Sequence, residues 1–318
     1  MNLDAEIRNE YEISSEMKKV WSIQIRLLKR LLDVCEKYNL RIWADGGTLL
    51  GTIRHHGYIP WDDDIDMVMF RNDYDRLLSI AASEFHSPFF FQTAYSENHY
   101  YPRGHAQLRM DGTTAILKSD VFQGFHQGIF IDIFPYDAVP NDPNEMETQI
   151  KDRNKLMSEL LVATYGHISI MSPGASFKVL QIKRTVRKQG FVHMFEQYEN
   201  LFRRYSILEN DLISCFSFIV DPDKFIRDKH WYDETIYLSF ENEIMMPVPI
   251  GYHFILEKQY GKYMVPVKSP SFHGEFVVLD PNKSYLDYLP SIRKQVSKIN
   301  NRLRKKRLIK RLQFWKSF

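Results

Sequence analysis

The densest chemistry in the chain lies in Trp61-Asp62-Asp63-Asp64-Ile65-Asp66, which sets four carboxylates within five positions. Carboxylates this close repel one another, and a counterion relieves the repulsion. On an extended segment Asp62, Asp64 and Asp66 share one face. Alternate carboxylates of this kind suit a hard divalent cation. Mg²⁺ takes a few carboxylates together with water and phosphate oxygens. A solvated acidic turn would also contain such a run, so the neighbours decide. Upstream stands Gly46-Gly47-Thr48, between a strand-like and a helix-like stretch. Two glycines let a phosphate approach the backbone, and the amides that follow can hold it. Downstream, Asp132 sits in the apolar run GIFIDIFP, from Gly128 to Pro135. A carboxyl flanked by apolar residues has to be paired, protonated or metal-bound. Together these residues have the parts for phosphoryl transfer: a phosphate cradle, metal-binding carboxylates, and a third carboxylate to complete two metal sites and take a proton.

Elements must position these groups. Apolar residues from Met17 to Cys35 recur at helical spacing, which predicts a helix over 15–39, capped by Ser14 or Ser15 and ended by Asn39. A strand at Leu40–Ala44, the glycine turn, a short helix at Leu49–Arg54 and a loop through His55 and His56 lead to a strand at Ile65–Phe70. Asn72 is expected to cap the next helix. Further strands are expected at Phe89–Thr93, Gln107–Met110, Ile129–Phe134, Phe216–Val220 and Thr235–Phe240, and a helix at Gly251–Tyr260. Long polar-apolar helical stretches, parted by Pro173-Gly174, fill residues 144–212. The expected organisation is a catalytic core over 1–143, a helical insert over 144–212, a return to the core over 213–290, and a basic tail over 291–318. There is no internal repeat and no low-complexity tract.

Composition narrows the class. The 318 residues are 44% hydrophobic and 26% charged, which excludes a disordered chain and a collagen-like repeat. No apolar run approaches the length of a membrane span, and the first 30 residues lack a signal core, so a cytoplasmic location is expected. Cys35 and Cys215 stand in no metal-ligand spacing and read as buried thiols. The net charge of +2 hides a gradient. Eleven Lys and Arg and no acid lie from Arg293 to Phe318, so the rest of the chain has 31 basic residues against 40 acidic ones. An acidic body is unlike a nucleic-acid enzyme. In the tail Val296, Ile299, Leu303, Leu308, Leu312 and Trp315 recur among the cations. That pattern predicts contact with an anionic membrane surface, which Trp315 and Phe318 could enter.

The stretch ADGGTLLGTIRHHGYIPWDDDIDMVMF, from Ala44 to Phe70, resembles the LicD family of phosphorylcholine transferases of bacterial surface glycans, related to fukutin and fukutin-related protein. The resemblance continues through Leu108-Arg109, the FIDIFP segment, Met246-Pro247-Val248-Pro249, Tyr260-Gly261-Lys262-Tyr263-Met264 and His273, across about residues 25–275 in scattered blocks. The first block is highly specific. The later ones are looser, and Val267 stands where a second proline is expected after Pro266.

The resemblance implies an α+β nucleotidyltransferase fold like that of DNA polymerase β: a mixed sheet flanked by helices, here with a helical insert and a basic helical tail. It implies that Asp64, Asp66 and Asp132 hold Mg²⁺ or Mn²⁺, as two ions, with Asp62 as a possible further ligand. Gly46, Gly47 and Thr48 would bind the donor phosphates, with Arg54 and Arg109 as candidate cations. His55, His56, Trp61 and His273 are candidate substrate contacts, and Trp43, Tyr58, Trp61 and Phe134 candidate members of an aromatic cage for a quaternary ammonium. The implied donor is CDP-choline or another CDP-alcohol, such as one delivering ribitol phosphate, glycerol phosphate or phosphoethanolamine. The implied acceptor is a sugar hydroxyl of a glycan or lipid-linked oligosaccharide: lipopolysaccharide, teichoic acid or capsule. A D-x-D glycosyltransferase and an inactive glycan-binding member are the rival readings.

Overall fold

The computed structural model describes residues 1–166, 173–216, 225–267 and 276–315, without the side chains of 303–315. His273, Phe318, the tail side chains from Leu303 onward and most of the strand expected at Phe216–Val220 lie outside the described residues.

The chain opens with a hairpin of β1 (Glu6–Arg8) and β2 (Tyr11–Ile13), turning through Asn9 and Glu10 in the left-handed region. Helix α1 (Ser15–Lys37) is capped by Ser14, whose Oγ accepts from the Met17 amide at 3.2 Å. Its buried stripe includes Val20, Trp21, Leu27, Leu28, Leu31 and Cys35. Asn39, at φ 51°, turns the chain out of the helix, and the Leu40 amide donates back to the Cys35 carbonyl at 2.8 Å.

The expected first strand contracts to β3 (Trp43–Ala44), and α2 (Gly46–His55) starts on the glycine pair itself, three residues before the expected helix. Strand β4 (Asp66–Phe70) begins at Asp66. Asp62 and Asp64 therefore precede the strand, and a loop rather than strand alternation brings them in. Helix α3 (Arg71–Glu84) follows at once with Phe70 in the cap position, so Asn72 lies inside the helix and does not cap it. Arg71, the first residue of the helix, sends its guanidinium into a buried ion cluster with Asp137 and Glu199.

Strands β5 (Phe89–Gln92), β6 (Ala106–Met110) and β7 (Thr114–Leu117) precede β8 (Phe130–Ala138), all nine of whose residues are buried. The central sheet is mixed. β8 runs parallel to β4, with Asp66 opposite Asp132, and antiparallel to β6, with Gln107 opposite Asp132. β3 extends the sheet beyond β4, and β5 extends it beyond β6. Helices α1 and α3 pack on this sheet.

Three helices follow: α4 (Pro143–Tyr165), α5 (Pro173–Gln189) and α6 (Phe191–Phe202). They enclose a separate aromatic core that includes Leu160, Phe191, Phe195, Tyr198 and Phe202. The helical stretch ends ten residues earlier than expected. β9 (Leu212–Ser214) already rejoins the sheet beside β8, and β10 (Arg227–Asp228) pairs with β9. The hairpin of β11 (Thr235–Phe240) and β12 (Ile244–Pro249) turns through Glu241 and Asn242, both at positive φ. After α7 (Tyr252–Tyr260), β13 (Phe276–Asp280) pairs with β7.

The last helix, α8 (Tyr285–Trp315), starts before the expected tail. Leu289 and Ile292 are buried against Ile116 and Val121, with Val296 beside them. Arg293 Nε donates to the Val121 carbonyl at 2.7 Å. Arg293 and Val296 thus belong to the body of the protein, whereas Ile299 is exposed. Among the described residues no helix is long and apolar enough to cross a membrane.

Candidate active site

Register creates the site. Parallel pairing of β4 with β8 sets Asp66 and Asp132 side by side on the same face, although 66 positions separate them in the chain. The loop before β4 delivers Asp64, and one carboxylate oxygen from each of Asp64, Asp66 and Asp132 lies within 4.8 Å of the others. Asp62, Asp63 and Asp64 form a second such group, sharing Asp64. Hard oxygen donors at this spacing, on a nearly buried floor (Asp64 is 5% exposed and Asp132 4%), fit a divalent cation.

Helix α1 holds the loop by its backbone. Trp21 Nε1 donates to the Asp62 carbonyl at 3.1 Å, and Gln24 Nε2 to the Asp63 carbonyl at 2.7 Å. The Asp132 amide donates to the Ile65 carbonyl at 2.9 Å, which joins the loop to β8.

Above the carboxylates stands the N-terminus of α2. The first bond of its ladder runs from the Leu49 amide to the Asp45 carbonyl at 2.9 Å, so the amides of Gly46, Gly47 and Thr48 lie ahead of it. Asp45 occupies the cap position but makes no side-chain cap bond. The Thr48 hydroxyl accepts from the Asp66 amide at 2.9 Å, which ties the helix start to the carboxylate strand. Side chains on the glycine pair would disturb the site. Gly46 has φ +52°, and a Cβ on Gly47 would stand 2.4 Å from Asp62 Oδ2. Gly47→Ala is therefore expected to push Asp62 aside and weaken Mg²⁺ binding in calorimetric titration by about threefold or more, while the circular dichroism spectrum stays that of the parent.

Asp132 is supported by β6. Gln107 Nε2 donates to Asp132 Oδ1 at 2.7 Å, and His105 Nε2 lies 3.1 Å from the same oxygen. Burial works against ionisation of Asp132, but His105, Arg103 and Gln107 outweigh it and hold the carboxyl below the usual carboxylate range. Burial in turn pushes His105 below the ordinary histidine value, Arg103 and Arg109 adding to the effect against the pull of Asp132. Arg103, His105, Gln107 and Arg109 stand at alternate positions leading into and along β6, a period-two polar pattern legible in the sequence, of which only Arg109 is among the expected site residues.

Arg109 is corrected. It is 1% exposed, and its guanidinium donates to Gln92, to the Gly128 carbonyl at 2.7 Å and to Gln107 Oε1. These bonds brace Gln107 behind Asp132, a buried place rather than the expected one among the donor-phosphate cations. Arg54 stands at the opposite end of α2 from these amides, with Nη1 donating to the Tyr263 carbonyl at 2.7 Å and Nε to His55 Nε2 at 2.9 Å. Half-exposed Tyr260 is within electrostatic reach of Asp45, Asp62 and Asp66 as well as of Arg54. The Arg54 bond to the Tyr263 carbonyl joins the Tyr260–Met264 block to the C-terminal end of α2.

His55 is held between Arg54 and Asn9, and burial together with the charges of Arg54 and Arg8 lowers it to about 4, so its ring is neutral at neutral pH. His56 is exposed and caps α2 in the left-handed region, with its carbonyl accepting from the Glu241 amide at 2.8 Å. Trp61 remains half-exposed, edge-on to Tyr11 and His55. The other cage candidates are core residues: Trp43 donates to Thr235 Oγ1, Tyr58 stacks on Trp21 at 4.3 Å, and Phe134 packs on His105.

Residues 39–159 match the model of the LicD/FKTN/FKRP nucleotidyltransferase domain. The chain is 29% identical over 250 residues to the lipopolysaccharide cholinephosphotransferase LicD of Haemophilus influenzae, covering 76% of this chain and 88% of that protein. It is 32% identical over 95 residues to human ribitol 5-phosphate transferase FKRP, covering 23% of this chain and 19% of that protein. An uncharacterised protein of Rickettsia typhi is 40% identical over 70 residues, covering 22% of this chain and 21% of that protein.

Proposed function

Because residues 39–159 are a LicD-family nucleotidyltransferase domain, we propose that the chain transfers phosphocholine from CDP-choline to a sugar hydroxyl of a bacterial surface glycan, releasing CMP. The observation that carries this reading is the Asp64–Asp66–Asp132 cluster lying beneath the N-terminus of α2. The choice of donor is supported by the likeness to the cholinephosphotransferase along 88% of its length. The shorter likeness to a ribitol 5-phosphate transferase favours CDP-ribitol as the second reading.

Asp64, Asp66 and Asp132 would hold Mg²⁺ or Mn²⁺, as two ions, with Asp62 adjoining through the shared Asp64 group. Bound there, the ions would neutralise charge on the diphosphate and on the departing CMP. The amides of Gly46, Gly47 and Thr48 bind the donor phosphates at the positive end of α2. The acceptor hydroxyl attacks the phosphorus that bears choline. A new P–O bond forms, the bond to the CMP oxygen breaks, and the hydroxyl proton passes to Asp132 and then to solvent. A carboxylate with a lowered pKa is a weak base. In a loose phosphoryl transfer the proton leaves late and a weak base suffices. Most of the acceleration then comes from positioning and electrostatics.

The direct test is CMP release from a panel of CDP-alcohols with Mg²⁺ or Mn²⁺ and a glycolipid extract as acceptor. CMP from CDP-choline is expected. CMP from CDP-ribitol or CDP-glycerol alone would replace the donor, and CMP from none of them would sink the reading.

The acceptor is expected at the inner face of the cytoplasmic membrane, with the basic tail keeping the enzyme near it. A chain ending at Val296 retains the docked turns of α8. It is expected to lose most of its affinity for vesicles rich in anionic lipid while keeping its thermal midpoint. Unchanged vesicle binding would remove the tail from this role.

A further inference from the structure

Asp45 and Arg227 face one another across 182 positions of sequence, and no block of the family motif contains Arg227. An aspartate at a helix cap ordinarily accepts from the amide two or three residues on. Asp45 does not; its oxygens are drawn to other donors instead, Arg227 Nη1 donating to Oδ1 at 2.7 Å and the Tyr136 hydroxyl to Oδ2 at 2.6 Å. Arg227 is itself rigidly mounted. It is 1% exposed, donates to the Tyr232 hydroxyl at 2.6 Å and to Gln259 Oε1 at 3.1 Å, and lies 5.0 Å over the Tyr136 ring.

We propose that Arg227 is a positioning residue for donor binding. It withdraws Asp45 from the start of α2, so that a diphosphate rather than the protein's own carboxylate occupies the amides of Gly46, Gly47 and Thr48. This inference rests on the donor-site reading above. Two effects act together. The clamp prevents Asp45 from capping the helix, and it neutralises a negative charge that would repel the donor. Without Arg227, Asp45 turns inward and competes with the ligand for the same amides. Removing Asp45 as well removes the competitor.

The test is calorimetric titration of the full chain with inorganic pyrophosphate and Mg²⁺, alongside thermal midpoints. Arg227→Met is expected to weaken binding by about tenfold or more. Asp45→Ala is expected to bind as tightly as the parent or more tightly. The double variant is expected to recover to within about threefold of the parent. A role confined to holding the fold would leave the double variant as weak as Arg227→Met, and that result, or a tenfold loss in Asp45→Ala, would overturn the clamp. Should Arg227→Met not fold, Arg227→Lys takes its place, with the same order of affinities at smaller size. A parent chain that fails to bind pyrophosphate would overturn the donor-site reading itself, whereas full binding by Arg227→Met overturns the clamp alone.

Discussion

Asp64→Asn is expected to abolish CMP release while making the metal-free protein more stable. The two effects have one cause. Asp64 is the carboxylate shared by both acidic groups, 62–64 and 64–66–132, so neutralising it removes a like charge from both. Neutralising it removes repulsion that the metal-free fold has to bear, and the thermal midpoint in chelator should rise by a few degrees. The same change removes a ligand from the proposed metal site. A loss of about 4 kcal/mol of transition-state stabilisation corresponds to roughly a thousandfold in rate. Activity measured at saturating Mg²⁺, beside melting curves with and without chelator, checks both halves. A variant that lost activity and stability together would point to a structural aspartate.

Arg71→Met is expected to cost about 3–5 kcal/mol of stability, the cost of breaking a buried ion pair and stranding its partners. Arg71 donates to both oxygens of Asp137, at 2.6 and 2.8 Å, and lies 3.4 Å from Glu199. Both acids are buried, and Glu199 also meets Arg203, which holds Asp75 with a forked pair of bonds at 2.7 and 2.8 Å. This cluster joins α3, β8 and α6, and so fastens the helical segment to the sheet that carries Asp132. Urea denaturation followed by tryptophan fluorescence should show the loss, and the matching thermal melt a midpoint lowered by about 4–8 °C. A change below about 1 kcal/mol would mean that the acids find other partners or solvent.

Much of the site was legible in one dimension because its parts are local. The GG pair, the DDDID run and the buried Asp132 each stand out from their neighbours by residue type, and elementary chemistry assigns each a role. The helix of α1 was equally plain, since its stripe and Ser14 cap are short-range signals. Boundaries were less so. The helix expected at Leu49 starts at Gly46, because the glycine backbone can take the positive φ that opens it. The strand expected at Ile65 starts at Asp66, where pairing with β8 begins.

Local chemistry therefore singles out the residues proposed to bind phosphate and metal, and the charge gradient separates an acidic body from a basic end. Neither specifies who stands beside whom. That Asp66 faces Asp132, that Gln107 and His105 brace Asp132, that Arg109 is buried behind them, and that Arg227 holds Asp45 all depend on strand register and on contacts across tens to hundreds of residues. Such pairings leave little local trace, because a buried arginine and an exposed one are the same letter. Only the packing of the sheet decides whether a charge meets solvent, a substrate or another residue.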